Sequence, residues 1–339
     1  MRGYRFFYLD FIRSIAVMMI IFFHYNVWTG RIVSADYVFL KYHIFIGTIG
    51  VSLFIIVSGA SLMLSTKNNY EVFDFYKRRF ISIFPLFYFT YIFFVLTYAV
   101  IFQISPFSER NPVSFILTII GLDGLLSYRI PNYYLIGEWF LGCIIIIYLM
   151  FPFIKYLFTL NKHLYMLASF IIWLLIYKFY NLDMPIYSFP LFRIFEFIFG
   201  MYFVSFCTNN SSKSSIALIA VALSGMVIIY CCDQVSSIIV GHIILGIFVF
   251  IILASLSYLI GNFLPRRLIH FISSYSYTAF LLHHIILKWM ITHFKDSINS
   301  VYLNLALFFL TVISIFLISY IIQNLFRYTI RIPSYVKAN

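Results

Sequence analysis

The sequence has 339 residues, of which 63% are hydrophobic and only 10% are charged, and its mean hydropathy is +0.98. Soluble domains are about half apolar and about a quarter charged, so this composition excludes an ordinary soluble enzyme and predicts an integral membrane protein. The formal net charge of +12 could suggest a nucleic-acid partner. The positions of the basic residues indicate membrane topology instead, and we expect no nucleic-acid partner.

Runs of about 20 apolar residues predict about ten transmembrane helices, forming one all-α domain over residues 1–339. The first run is too long for a signal peptide, and no small-residue cleavage site follows it. The segment 112–127 is too short to span and carries Asp123, so an interfacial or re-entrant helix is expected there. The predicted spans are 6–28, 44–65, 81–104, 137–158, 164–181, 186–207, 215–232, 236–260, 269–292 and 301–326.

The lysines and arginines on alternate loops predict the orientation of these spans. If the N-terminus is cytoplasmic, that side carries fourteen of them and the opposite side carries six. Both termini are therefore expected in the cytoplasm, in a multi-pass protein of the inner (cytoplasmic) membrane. The cytoplasmic set is Arg2, Arg5, Lys67, Lys77, Arg78, Arg79, Lys155, Lys162, Lys213, Arg266, Arg267, Arg327, Arg331 and Lys337, and the other set is Arg31, Lys41, Arg110, Arg129, Lys178 and Lys295.

The first span contains three ionisable residues, in the stretch LDFIRSIAVMMIIFFH at 9–24. Arg13 follows Asp10 by three residues, and His24 follows Arg13 by eleven, which is within roughly 20° of whole helical turns and about 16 Å along the axis. All three are expected on one interior face, with Arg13 nearer the cytoplasm and His24 nearer the exterior. An interfacial ion pair between Asp10 and Arg13, and an interfacial His24, are the alternatives.

A second pair of opposite charges occurs in the apolar stretch RIFEFIFG at 193–200. Arg193 and Glu196 are three residues apart, on one helical face. They could tie helices together, or they could line a pocket, because charged groups inside spans face protein or water rather than lipid. Gly200 is expected to permit close packing of two helices.

The histidines inside the spans do not predict a metal site. His283 and His284 are adjacent, so they point about 100° apart, and we expect one to line the site and the other to pack. They lack the i, i+4 spacing of helical metal ligands, and no acidic ligand lies nearby in sequence. His242 is isolated and is interpreted as a satisfied polar group. Phosphate-binding loops and hydrolase nucleophile motifs are absent from the sequence.

The segment YKRRFISIFP at 76–85 places three consecutive basic residues beside the third span. One interpretation is a membrane anchor on the cytoplasmic side. The other is a binding site for a polyphosphorylated ligand, because clustered guanidinium groups match phosphate geometry. Arg78 and Arg79 are the candidate residues.

Taken together, six segments in this order resemble the membrane-bound acyltransferase-3 family, whose members O-acylate glycans and other extracytoplasmic acceptors. The resemblance covers almost the whole chain. The first segment carries Asp10, Arg13 and His24 in the family pattern of Leu-Asp-x-x-Arg followed by His. The segments are LDFIRSIAVMMIIFFH (9–24), GVSLFIIVSGASLML (50–64), FYKRRFISIFP (75–85), WFLGCIIIIYLMFP (139–152), RIFEFIFGM (193–201) and SYTAFLLHH (276–284).

Two positions depart from the family pattern. Ser82 stands where many members have a second arginine, and Ile144 stands where many have a glutamate five residues after the tryptophan. Glu138 does not occupy the same helical face as position 144. The chain ends at Asn339, so we expect no additional esterase-like domain, as in the shorter polysaccharide acetyltransferases. An inactive family member that acts as a scaffold is a further possibility.

The resemblance implies an O-acyltransferase that uses acyl-CoA, with acetyl-CoA as the first expectation, as donor substrate rather than as a bound cofactor. The acceptor would be a glycan or a lipid-linked sugar at the membrane. His24 would act as general base or carry the acyl group itself. Arg13 would orient the donor, and Asp10 would hold the Arg13 side chain in position. Arg78 and Arg79 would contact the donor phosphates.

Four further residues are weaker candidates for lining the substrate pocket: His283, Arg193, Glu196 and Trp139. The rival hypothesis is a transporter or flippase for a lipid-linked glycan, because many spans with buried charges would also serve transport. A transporter does not need the Arg13 and His24 pair or a cytoplasmic basic site. The broken helix pairs of inverted-repeat transporters are not evident in the sequence.

Overall fold

The computed structural model describes residues 7–29, 46–66, 71–101, 103–107, 110–206, 212–231, 239–294 and 300–330, and this part of the chain is helical without strands. Long helices pack side by side, and their buried faces form the core. The helices are α1 (Phe7–Thr29), α2 (Ile46–Ser65), α3 (Val72–Val100), α4 (Phe115–Ile119), α5 (Asp123–Leu126), α6 (Trp139–Leu160), α7 (Lys162–Phe179), α8 (Pro190–Phe206), α9 (Ser212–Cys231), α10 (Ile239–Ile260), α11 (Arg266–His293) and α12 (Val301–Ile330).

Seven of the described helices are long and apolar enough to cross a membrane: α1, α2, α3, α6, α7, α10 and α12. The prediction of a multi-pass, all-α membrane protein is therefore confirmed. The other three predicted spans coincide with helices α8, α9 and α11, and the total of ten stays a prediction. Helix α11 is long, but its sequence contains serine, threonine and histidine residues, which lower its hydropathy. Several of these polar side chains are buried against protein.

The predicted orientation also stays a prediction, because both chain termini lie outside the described residues. Eight of the basic residues that were counted for the orientation also lie outside the described residues: Arg2, Arg5, Arg31, Lys41, Lys67, Lys295, Arg331 and Lys337.

Helix α3 begins nine residues before the predicted span, at Val72 instead of residue 81. Glu71 is extended, and the helix then runs through the whole basic segment. The cause is that lysine and arginine are good helix formers, so the apolar run alone underestimates the helix. Arg78 and Arg79 consequently lie on helix α3 itself, with Pro85 inside the same helix.

Helices α1 and α11 run parallel, and their residue numbers increase together along the contact. At one end the Ser14 hydroxyl donates to the Ile269 carbonyl over 2.9 Å. At the other end the rings of His24 and His284 lie 4.3 Å apart between centroids. This parallel packing places polar residues of the two helices opposite each other at both ends.

Helices α2 and α8 approach each other closely, backbone to backbone, at two glycines. A Cβ atom added to Gly59 would lie 2.0 Å from the Phe197 carbonyl oxygen. A Cβ atom added to Gly200 would lie 2.0 Å from the Ile56 carbonyl oxygen. The expectation that Gly200 permits close packing is therefore confirmed, and small residues at this contact let the two backbones touch.

Replacing Gly200 by alanine is expected to destabilise the protein by about 1–3 kcal/mol, because the new methyl group meets backbone that cannot rotate away. Thermal unfolding in detergent measures the effect. The matched control is Gly225→Ala, where the added atom would meet the ring of Phe248, a side chain that can move. Equal effects of the two substitutions would contradict the proposed backbone contact.

The segment predicted as one interfacial or re-entrant helix is broken into short pieces. A 3-10 turn, Pro112–Ser114, leads into α4, and α5 follows after Gly121. Gly121 has φ of +72°, in the left-handed region that only glycine adopts without strain, so the helix stops there. The segment is too short to span, as expected, and it leads into the loop that precedes α6.

Candidate functional site

Three histidines surround one carboxylate where α1, α11 and the start of α6 meet. We call His24, Glu138, His283 and His284 the imidazole–carboxylate cluster. Glu138 Oε1 lies 3.0 Å from His24 Nε2 and 3.7 Å from His283 Nε2, and it also contacts His284 Nε2. His283 is fully buried, whereas the side chains of His24, His284 and Glu138 keep some exposure. The cluster therefore combines a carboxylate with two imidazoles, those of His24 and His284, that solvent or substrate can reach.

The backbone before α6 aims the Glu138 side chain at the histidines. Gly137 has φ of +76°, and its N–H donates to the Leu281 carbonyl of α11 over 3.1 Å. The Tyr134 hydroxyl donates to the Gly137 carbonyl over 2.7 Å. Glu138 is then extended and occupies the N-cap of α6 without capping it through its side chain. A left-handed glycine therefore directs the carboxylate away from its own helix and toward α11.

The loop between α5 and α6 packs against this turn. The Asn132 side-chain amide donates to the Asp123 carbonyl over 2.8 Å, and a Cβ atom on Gly124 would lie 2.9 Å from the Glu138 carbonyl. Burial, together with the carboxylates of Glu138 and Asp123, raises the pKa of Tyr134, so its hydroxyl remains a hydrogen-bond donor. The loop from α5 to α6 is therefore packed directly against the cluster.

Asp123 should make stability depend on pH. Burial raises the pKa of Asp123 from 3.8 to about 6, against the opposing hydrogen bond from the Gly124 N–H. The native state therefore binds the proton more tightly than the unfolded chain, and its stability falls as pH rises from about 4 to about 6. Two pKa units correspond to roughly 3 kcal/mol. The Asp123→Asn variant, measured by thermal unfolding at both ends of this range, should show a smaller loss than the wild type; an equal loss would contradict it.

A cavity of about 540 Å³ opens onto the cluster. His24 and Glu138 lie on its wall, and Trp139 and Tyr187 contribute aromatic surface with ring centroids 5.5 Å apart. Arg193 lines another part of the same cavity, as does His242. A cavity of this size, mostly apolar with a few polar groups, is typical of a small-molecule site.

Arg193 and Glu196 form a completely buried ion pair beside this cavity. Arg193 Nε lies 2.9 Å from Glu196 Oε2, and both side chains are 0% exposed. Arg193 Nη2 donates to the Ser52 hydroxyl of α2 over 3.4 Å. The structure is therefore consistent with both interpretations from the sequence. The pair connects α8 to α2, and Arg193 also lines the cavity.

Asp10 and Arg13 form a second polar group between α1 and α11. Arg13 Nη1 lies 3.3 Å from both Asp10 Oδ1 and the Ser273 hydroxyl, and Ser273 donates to Asp10 over 2.7 Å. His270 Nδ1 lies 3.5 Å from the other carboxylate oxygen. The predicted common face of Asp10, Arg13 and His24 is the face that packs on α11. Arg13 does not line the 540 Å³ cavity, so Asp10 and Arg13 are separate from the cluster.

The basic pair, Arg78 and Arg79, lies in the first part of α3. Arg78 is exposed, whereas Arg79 is partly buried, and its Nε has no hydrogen-bond partner among the described residues. Neither residue lines the 540 Å³ cavity. Their predicted role toward a polyphosphate stays a prediction.

The cluster contains two residues that the sequence did not identify as site residues. Glu138 was excluded because it does not occupy the same helical face as position 144, and only one of His283 and His284 was expected to line the site; in the structure His283 is fully buried and His284 is partly exposed. Both contact Glu138 because the glutamate approaches from outside their helix. The preceding Gly137 was the available signal, since a glycine before a helix permits an unusual turn. The missing acidic partner of the histidines thus comes from a distant segment.

The sequence profile of the acyltransferase domain named Acyl_transf_3 matches residues 6–323. The chain belongs to the acyltransferase 3 family. Family membership supports a membrane acyltransferase, in agreement with the helices long enough to span a bilayer. Searches of curated proteins and of solved structures gave no match. In this acyltransferase 3 protein, the cavity at the imidazole–carboxylate cluster is accordingly the candidate active site.

Proposed function

We propose that this acyltransferase 3 protein moves an acyl group, acetyl as the first expectation, from cytoplasmic acyl-CoA to a hydroxyl of an extracytoplasmic or lipid-linked glycan. The observation that carries the proposal is the 3.0 Å contact between His24 Nε2 and Glu138 Oε1 on the cavity wall. A carboxylate oxygen accepts, so His24 Nε2 donates and its Nδ1 keeps a lone pair for a proton. Glu138 thereby orients the imidazole, as a carboxylate does for a catalytic histidine in other enzymes.

The proposed step is a direct transfer. His24 takes the proton of the acceptor hydroxyl while the hydroxyl oxygen attacks the thioester carbonyl carbon. The C–S bond breaks as the new C–O ester bond forms, and the thiolate of CoA leaves and takes the proton back from the imidazole. General-base assistance of this kind contributes about 10²–10⁴-fold to a rate. The alternative, in which His24 first carries the acyl group, uses the same lone pair.

The donor would approach from the end of α1 that carries Arg13. Arg13 lies about 16 Å along the helix from His24, a length that the extended pantetheine arm of acyl-CoA can cover. Arg13, held by Asp10 and Ser273, would contact the arm, and Arg78 and Arg79 would contact the phosphates. The Arg79 Nε without a hydrogen-bond partner in the described part of the chain supports this role.

The acceptor would enter the 540 Å³ cavity. Trp139 and Tyr187 offer aromatic faces of the kind that stack on sugar rings, and Arg193 offers hydrogen bonds to polar substituents. His283 packs beside Glu138 on the buried side of the cluster. These contacts favour a sugar hydroxyl over a purely hydrocarbon acceptor, and we propose the inner membrane as the location of the protein.

The deciding experiment measures acyl transfer from labelled acetyl-CoA to glycan in membrane vesicles, with and without this protein. Label in the glycan only when the protein is present supports the proposal. The number of acetyl groups per exported repeat separates the rival hypothesis. If loss of the protein lowers glycan export while acetylation per exported repeat is unchanged, the protein acts in transport and the proposed function is wrong.

A further inference from the structure

The imidazole–carboxylate cluster has the composition and dimensions of a metal site. One ligand atom from each of His24, Glu138, His283 and His284 lies within 4.8 Å of the other three. In a tetrahedral zinc site with bonds of about 2.0–2.1 Å, neighbouring ligand atoms are roughly 3.4 Å apart. The distances of 3.0 Å and 3.7 Å from Glu138 Oε1 to His24 Nε2 and His283 Nε2 lie on either side of that value.

His283 gives an independent indication of a ligand. Its Nδ1 lies 2.6 Å from the Phe280 carbonyl oxygen, which can only accept, so Nδ1 carries the proton. The neutral ring then has a bare lone pair on Nε2. That atom is fully buried, has no hydrogen-bond partner among the described residues and faces Glu138 Oε1 over 3.7 Å. Two lone pairs that face each other at this distance are stabilised by a cation between them.

The hydrogen bond from His283 to Phe280 is also the one that orients a metal-bound histidine. Histidine ligands almost always donate their other ring N–H to a carbonyl or a carboxylate, which selects the tautomer and the ring orientation. Three imidazoles and one carboxylate suit Zn²⁺ and related transition-metal ions, whereas Mg²⁺ and Ca²⁺ prefer oxygen ligands. With one carboxylate and three neutral imidazoles, a bound divalent ion and its ligands would have a total charge of +1.

We propose that His24, Glu138, His283 and His284 form a binding site for a divalent transition-metal ion, with Zn²⁺ as the first candidate, and that the metal-bound protein cannot transfer acyl groups. The second part rests on the proposed function. A metal on His24 Nε2 leaves the ring proton on Nδ1, so the imidazole has no lone pair left to take a hydroxyl proton or to carry an acyl group. Zinc is therefore an inhibitor that occupies the candidate active site.

Metal content tests the binding part without any activity. The full-length protein, purified in detergent and freed of metal with a chelator, is dialysed against Zn²⁺ and analysed by mass spectrometry for zinc. We expect about one zinc per chain in the wild type and at least tenfold weaker binding in the His283→Gln variant. His293→Gln, which changes an exposed histidine at the end of the same helix, is the matched control and should bind like the wild type.

Two further measurements keep the test decisive. If His283→Gln does not fold, Glu138→Gln replaces it, because glutamine has nearly the same shape and removes only the charged ligand. Cobalt in place of zinc should give the visible absorption of a tetrahedral Co²⁺ site in the wild type and not in the variant. A wild type that binds no more zinc than His283→Gln, or a control that loses zinc equally, would overturn the site.

Inhibition is tested separately, with labelled acetyl-CoA. Zinc should lower acyl transfer by the wild type at least tenfold, and a chelator should restore it. If zinc binds to the cluster and transfer is unchanged or rises, the inhibitory part is wrong although the metal site stands. If the zinc-free protein shows no transfer at all, the proposed function fails, and the zinc content still decides the metal site.

Discussion

Replacing His24 by glutamine is expected to lower acyl transfer by about 10²–10⁴-fold, the range that a general base contributes. Glutamine can still donate to Glu138 but has no lone pair of suitable basicity for a hydroxyl proton. The protein should stay folded, because the His24 side chain lies partly exposed on a cavity wall and fills no closed core. The measurement is the rate of label transfer from acetyl-CoA to glycan, at equal amounts of protein in the membrane.

His293→Gln is the matched control for this substitution and should keep the wild-type rate. Full activity of His24→Gln would remove His24 from the chemistry and leave the cavity without its proposed base. A second measurement separates the two proposed roles of His24. If the wild type, and not His24→Gln, retains covalently bound label when no acceptor is present, His24 carries the acyl group; if no label is retained, it acts as a base.

Replacing Glu196 by alanine is expected to destabilise the protein by about 3–5 kcal/mol, because it leaves the Arg193 guanidinium buried without its carboxylate. Both side chains are fully buried, and 2.9 Å separates Arg193 Nε from Glu196 Oε2, so the substitution leaves an uncompensated charge inside the protein. Such a loss is a large part of the stability of a typical protein. Thermal unfolding in detergent and the amount of folded protein in the membrane measure it.

The double variant, with Arg193→Met and Glu196→Leu, should recover most of that stability, because it removes both charges and fills a similar volume. The pair between Arg129 and Asp183 is the matched control. Its atoms are 3.1 Å apart but its side chains are 69% and 74% exposed, so Arg129→Ala should change stability by less than about 1 kcal/mol. Equal stability of Glu196→Ala and the wild type would show that the buried pair is not needed for folding.

Activity of the double variant distinguishes the two functions of Arg193. If the folded double variant transfers acyl groups like the wild type, the pair only connects α8 to α2. If it is stable but binds the acceptor more weakly, Arg193 also acts from the cavity wall, where the structure places it.

The sequence alone determined the fold class, because the signals involved are local. A run of apolar residues has to be a helix in a bilayer, where every backbone N–H and C=O group needs a partner within the segment. The common face of Asp10, Arg13 and His24 follows from the helical repeat, and the close contact at Gly200 follows from the absence of a side chain. The family was likewise recognisable from motifs in a fixed order, and its profile matches residues 6–323.

The composition of the site was decided only by the tertiary structure. The left-handed backbone of Gly137 and its hydrogen bond to Leu281 turn Glu138 toward α11, and the parallel packing of α1 and α11 brings His24 to the same carboxylate. Helical spacing places residues on the face of one helix, whereas these four belong to three segments whose approach depends on packing. The angle of about 100° between the side chains of His283 and His284 therefore carried no information about a residue of another segment, such as Glu138, that contacts both. An isolated histidine pair in the sequence becomes a four-residue cluster only because a distant glutamate reaches both rings.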